Sequence, residues 1–288
     1  MKSVVKYELL SYFTNIPGYV FGAFILLFAG IYTTVNNLKA GSMNFEYVLQ
    51  GMSFIFLIAV PVLTMRVLAE ERSQRTDTLL YSLPASMTKV ILGKYIAMLV
   101  MFLIPLFIIS LYPLMLTAFG NAYLVVSLSA LLGFFFLGAS LIAIGMFISS
   151  LTSSQAVAAG ACFVVMLVNY YMASLSGYVS EKPYASLIAL MILVLLVAGL
   201  FFLLTKNIPV TAVIGGAAEA ALLIVFLVKS SLFEGLFGKL LESLSLFKRF
   251  DPFVEGMFDL TGILYYVSVI VFFLALSILS MEKQRWAE

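Results

Sequence analysis

A chain of 288 residues that is 63% hydrophobic and only 10% charged, with a mean hydropathy of +1.13, cannot cover the surface of a water-soluble fold, since soluble domains carry roughly 25% charged residues. The formal net charge of +2 argues for no nucleic-acid partner. With no histidine and Cys162 as the only cysteine, the chain has neither a disulfide framework nor a Cys/His metal site. What remains is an integral membrane protein.

Residues 1–15 are too short and too polar to span. Val4, Val5, Leu9, Tyr12, Phe13 and Ile16 fall near one helical face, which suits a helix lying in the membrane interface, with a frayed tail as the alternative. Lys2 and Lys6 are followed by Glu8 and polar residues, so a cleavable signal is not expected. A span needs about 20 mainly apolar residues. That rule gives eight candidates: Tyr19–Val35, Tyr47–Leu68, Val90–Phe119, Tyr123–Ser149, Gln155–Leu175, Tyr184–Leu204, Pro209–Val228 and Gly262–Met281. A polar loop is expected around Asn36–Asn44, and Pro105 and Pro113 are expected to bend the third span. Apolar runs this long rule out a β-barrel, whose strands alternate over about ten residues. The expected fold is all-α: a polytopic transmembrane helical bundle forming one domain over 1–288.

Placing both termini in the cytoplasm puts Lys2, Lys6, Arg66, Arg72, Arg75, Lys89, Lys94, Lys206, Lys283 and Arg285 inside. Lys39, Lys182, Lys229, Lys239, Lys248 and Arg249 then fall outside, ten against six in the expected sense. The sixth and seventh spans are joined only by Thr205, Lys206 and Asn207, and removing them as a pair leaves the topology of the rest unchanged. Residues 230–260 form an extracytoplasmic segment. In Ser230–Phe250, Leu232, Phe233, Leu236, Phe237, Leu240, Leu241 and Leu244 recur at helical spacing, which predicts one amphipathic helix. Phe247–Leu260 reads as a partly re-entrant element near the outer surface.

Charge concentrates in Arg66–Lys94, which holds five of the sixteen basic residues and three of the fourteen acidic ones between two apolar runs. This is a cytoplasmic loop, 69–89. Within it Thr76 and Asp77 can cap a short helix carrying Leu79, Leu80 and Leu83, which Pro84 ends. Ser86 or Thr88 can start the next helix. The apolar residues of the short helix need a partner surface or the membrane, and both readings stand open. Glu70 and Glu71 are neighbours that do not face each other on a helix, so they read as solvated charges. Small and hydroxyl residues cluster in Ile144–Ala159, where they let two helix backbones approach closely. Glu219 is the one acid deep within a predicted span, and a carboxylate there is by default a functional candidate. The chain has no phosphate-binding loop: Gly93-Lys94 is followed by Tyr95, and no matching glycine precedes it. No GxSxG or HExxH motif occurs either, so no active site is expected.

Glu70, Arg72, Thr76, Leu79, Leu80, Leu83 and Pro84, followed nine residues later by Gly93-Lys94, form a pattern that resembles permeases of ABC transporters of the type-2 exporter class. The closest likeness is to the gliding-motility-type subgroup. GMFISSLTSSQAVAA, FDPFVEGMFDLTGILYY and the ending MEKQRW are also similar to that family. Two departures stand out: Arg75 replaces a common glycine, and the family commonly has six spans, which makes spans six and seven look like an insertion. The resemblance implies a non-catalytic membrane subunit of the bacterial cytoplasmic membrane. It would pair with a second permease, identical or related, and sit above two cytoplasmic ABC ATPases that hold the ATP and Mg, with no cofactor of its own. The segment around Thr76–Ser86 would be a coupling helix seated on the ATPase, with Glu70, Glu71, Arg72, Arg75 and Lys89 around it. The first, second and fifth spans would meet the second permease. The rival readings are an ion- or proton-coupled secondary transporter with Glu219 as relay, and an ABC-driven scaffold that acts on the cell envelope. The sequence names no substrate.

Overall fold

Apolar runs in a lipid environment must satisfy their backbone internally, and helices do this within one segment. The computed structural model describes residues 2–74, 86–120, 123–205 and 208–285, and every regular element among them is helical. The helices are α1 (Lys2–Thr14), α2 (Ile16–Thr33), α3 (Glu46–Met52), α4 (Phe56–Thr64), α5 (Ala69–Ser73), α6 (Met87–Leu116), α7 (Leu124–Leu151), α8 (Gln155–Ser176), α9 (Pro183–Thr205), α10 (Ile208–Val228), α11 (Leu236–Leu244), α12 (Asp251–Val254) and α13 (Leu260–Arg285). Among the described residues six stretches are long and apolar enough to cross a membrane: Ile16–Lys39, Glu46–Ser73, Met87–Leu116, Leu124–Leu151, Gln155–Ser176 and Leu260–Lys283. The chain is a multi-pass, all-helical membrane protein.

It divides into two compact units, Met1–Val168 with Arg249–Glu288, and Asn169–Lys248, the boundary falling within α8. In the first unit α7 is the hub: α3, α4, α6, α12 and α13 all pack on it. Of its apolar window 78% is buried inside the chain, against 22% for α2 and for α13, which therefore keep broad apolar faces for lipid or another protein. Glycines make this packing close. A Cβ on Gly138 would lie 2.5 Å from the Phe102 ring, and one on Gly145 2.5 Å from Thr64 Oγ1. Around Gly138 runs an aromatic core in which Phe56 lies tilted against Phe134 (4.6 Å between centroids) and edge-on to Phe102 (5.7 Å). Such pairs add about 0.5–1.5 kcal/mol each beyond their buried area.

Several expected elements differ. The polar loop after the first span begins later, because a π turn, Thr34–Lys39, prolongs α2 through Asn36 and Asn37. Asn37 compensates by donating from Nδ2 to the Ser42 carbonyl (2.7 Å), which closes the chain reversal at Gly41. Phe247–Leu260 is less peripheral than its polarity suggests: Phe250, Phe253 and Val254 are buried, and α12 packs on α7. Asp251 faces outward to accept from Gln50 Nε2 at 3.1 Å.

The second unit contains the hairpin of α9 and α10, where a Cβ on Gly215 would touch Ala198. The single amphipathic helix expected over Ser230–Phe250 is not formed. A 3-10 turn, Ser230–Phe233, leads into Gly235 at φ 63°, and only then does α11 begin. The direction changes by 117° between Ala212–Val228 and Ser230–Leu244. That change of direction falls at Lys229, in extended backbone, whereas Gly235 separates the 3-10 turn from α11, since glycine enters the left-handed region without the Cβ clash other residues meet. The apolar periodicity nonetheless predicts the packing: Phe233 is buried with Leu187 and Leu190, and Phe237 and Leu240 pack against them.

Candidate coupling site at the start of the third span

Two helices of the first unit converge on the first turns of α6. Helix α1 packs along α6 through a face that carries Glu8 and Tyr12. Helix α5 follows the end of α4 and leads into residues 75–85. Lys94, about two turns into α6, is the group that joins them. Its side chain is 2% exposed. Its Nζ donates to Glu8 Oε1 (2.6 Å), to Glu71 Oε1 (2.7 Å) and to the Val67 carbonyl (3.1 Å). An ammonium has three N–H donors. Here each goes to a different stretch of chain: α1, α5 and the turn after α4.

Around this centre other polar groups fix the same junction. Arg66 grips Glu70 with both arms of its fork, at 2.6 and 2.7 Å. Tyr12 donates its hydroxyl to the Leu63 carbonyl at 3.2 Å, tying α1 to α4. Burial first, and the negative charge of Glu8 second, push the Tyr12 phenol well above its ordinary range, so it remains a neutral donor. Ser149, near the end of α7, accepts from the backbone N–H of Leu68 and of Ala69, both at 3.2 Å, which caps α5. Ser280 of α13 donates to the Ser150 carbonyl at 3.2 Å, and Arg72 reaches Met281 Sδ at 3.6 Å. The small-residue cluster of Ile144–Ala159 thus serves two ends: Gly145 admits Thr64, and Ser149 holds α5.

The expected site residues fare differently. Glu70, Glu71 and Arg72 are gathered here, but the reading of Glu70 and Glu71 as solvated charges is corrected: each is in a close ion pair within the chain. The apolar surroundings supplied by α1 and α6 exclude water from the Lys94 ammonium, so it recruits both nearby carboxylates. Ser86 takes the position before α6, but its hydroxyl makes no capping bond. Lys89 is exposed on the first turn. Arg75, Thr76, Leu79, Leu80, Leu83 and Pro84 lie outside the described residues. Glu219 sits in α10 of the second unit, half-buried, with Oε1 buried and making no hydrogen bond among the described residues. No group of three or more metal-ligating side chains occurs among the described residues.

Sequence reasoning missed Glu8, Arg66, Lys94 and Ser149 as parts of one site. Lys94 could have been found: it stands alone in the apolar run VILGKYIAM, where a charge is costly and by default functional. Glu8 carried a weaker sign, a carboxylate one turn from Tyr12 on the otherwise apolar face.

A helical membrane unit with a charged junction at one end is the setting in which the comparison with known families falls. Residues 29–286 match the family described as ABC-2 family transporter protein, and the chain belongs to that family. It is therefore a membrane permease of the ABC-2 class, and membership implies association with ABC ATPase subunits. No curated protein and no solved structure matches the chain.

Proposed function

We propose that this chain is the transmembrane permease subunit of an ABC exporter, driven through residues 69–89 by a separate cytoplasmic ATPase. The observation that carries the proposal is the Lys94 junction. It ties the helix that leads into 75–85 to both α1 and α6 through a buried cation. A force applied at 75–85 reaches α5, and from α5 it reaches α1 and α6 together. ATP and Mg reside on the partner, and this chain carries no catalytic group. Leu79, Leu80 and Leu83 seat in the ATPase groove and supply most of the grip. The exposed Lys89 and its neighbours add ion pairs worth roughly 0–1 kcal/mol each. Two permease copies, identical or related, share the two ATPases and meet through the first, second and fifth spans. The junction end and both termini face the cytoplasm of a bacterial cell membrane, and the protein sits in the gliding-motility-type branch of its class. Nucleotide binding draws the ATPases together and biases a two-state membrane assembly by rigid-body motion. Spans six and seven, with the amphipathic segment that follows them, are an insertion on this permease core, with Glu219 as a translocation candidate inside it.

The test is a pull-down of the tagged chain in mild detergent, with its partners identified by mass spectrometry. A protein carrying a phosphate-binding loop and an ABC signature is expected, and replacing Leu79, Leu80 and Leu83 by serine is expected to release it. Recovery of the chain without any such ATPase contradicts the proposal.

A further inference from the structure

Within the second unit, the turn between α8 and α9 meets the start of α11. Gly235 donates its backbone N–H to the Glu181 carbonyl at 3.0 Å, and the Phe237 N–H reaches Ser186 Oγ at 3.5 Å. Leu187, Leu190 and Phe233 are buried together beside these bonds and give the meeting point a firm base. The two segments enclose a cleft of about 440 Å³, lined by Glu181, Lys182, Pro183, Glu234, Gly235 and Lys239. Small-molecule sites occupy roughly 300–1,000 Å³. The walls carry two ammonium groups and two carboxylates, one of each sign from either segment. Among the described residues none of these four is in an ion pair. Glu242, the acid within α11, accepts from Ser176 Oγ at 2.9 Å and does not line the cleft.

An apolar strip begins at the rim of this cleft. Lys182 Nζ sits 5.8 Å over the Tyr184 ring. Tyr184, Ile188, Ile192 and Leu195, spaced by four, four and three residues, share one face of α9, and each is more than half exposed. The strip is about 16 Å long, half of the roughly 30 Å hydrocarbon thickness of a bilayer. A molecule with its polar end in the cleft therefore lays a tail of one leaflet's depth along α9. The charge balance selects the polar end. Two cations and two anions sum to zero, so an anionic headgroup leaves both carboxylates facing it without a donor, whereas a zwitterion satisfies both signs. A primary ammonium offers the carboxylates three N–H donors. A quaternary ammonium offers none and is held by aromatic cages, and among the described residues no aromatic side chain lines the cleft.

We propose that this cleft is a binding site for phosphatidylethanolamine. The phosphate lies between Lys182 and Lys239, the ammonium meets Glu181 and Glu234, and one acyl chain covers the strip over 184–195. The site needs the second unit to stand in a bilayer, but it needs neither ATP nor an ATPase, and it survives or fails apart from that reading.

The experiment is native mass spectrometry of the full chain, delipidated in mild detergent and titrated with phosphatidylethanolamine, phosphatidylcholine or phosphatidylglycerol of matched acyl chains. Phosphatidylethanolamine is expected to bind about tenfold more tightly than either of the others, the ratio that one well-made polar contact of about 1.4 kcal/mol supports. Replacing both acids (Glu181→Gln with Glu234→Gln) is expected to abolish that preference and to turn it towards phosphatidylglycerol, since two lysines then face the headgroup alone. Both acids are exposed, and an unchanged thermal unfolding profile checks that the variant keeps its fold. Equal binding of the three lipids overturns the proposal, as does a preference that the double variant leaves intact. Free phosphoethanolamine forms a further arm: if it displaces the lipid at equal concentration, the apolar strip contributes nothing and the lipid assignment is overturned.

Discussion

Lys94 is where single-residue chemistry governs most of the molecule. Its ammonium has left water and recovered three hydrogen bonds, two of them to carboxylates. Replacing such a buried ion by an apolar group without removing its partners leaves the partners stranded, at a cost of about 3–5 kcal/mol. Lys94→Met therefore strands Glu8 and Glu71. A fall of that size in unfolding free energy, read from denaturant melts in detergent, is expected, and adding Glu8→Gln and Glu71→Gln together is expected to restore part of it. Arg66 and Glu70 make the opposite case. They are each about a quarter exposed, so solvent screening leaves their pair worth much less.

At the scale of elements, close helix approach sets the geometry. Gly145 faces Thr64, with the nearest atom, Oγ1, 2.5 Å from where a Cβ would stand. Thr64 Oγ1 is itself fixed by its bond to the Val60 carbonyl at 2.9 Å. Gly145→Ala is expected to cost about 1–3 kcal/mol as an overpacked contact. Thermal unfolding checks this: Thr64→Ala should recover part of the loss, and Thr64→Ser should recover none, because it keeps the clashing oxygen. Helix extents were legible in the sequence wherever an apolar run was long; α6, α7, α8 and α13 begin and end within a few residues of their expected bounds. The π turn at Thr34–Lys39 and the break at Gly235 were not. One depends on how a buried Asn37 closes a loop, the other on a single backbone angle, and neither alters hydrophobic periodicity. The candidate site was half legible. The charged stretch and its small-residue neighbour were visible, but their joining through Lys94 and Ser149 depends on contacts 80 to 86 residues apart in sequence, Ser149 with Leu68 and Ala69 and Lys94 with Glu8, that no local pattern encodes.

For the whole molecule, the two ends of the first unit handle charge differently. One end shares a buried lysine between two acids from α1 and α5. The other buries Glu46 at the start of α3, against α2, α7 and α12. Between them α7 packs against most of the unit, so a change at one end meets the other through a single rigid element. The ABC-2 family membership makes the chain a membrane permease, and the proposed function takes the junction as the point where an outside drive attaches.

The most direct test of that account follows the position of α1 during nucleotide binding. Cys162 is the only cysteine and is buried, so it is replaced by alanine and spin labels are placed at Leu10 on α1 and Leu151 at the end of α7, both exposed. In the complex with its ATPase, pulsed electron resonance should show the label separation shift on adding ATP. In Glu8→Ala, where Lys94 keeps Glu71 but loses its hold on α1, the ATPase should stay bound and the shift should vanish. An unchanged shift in Glu8→Ala would contradict the claim that the Lys94 junction carries the motion.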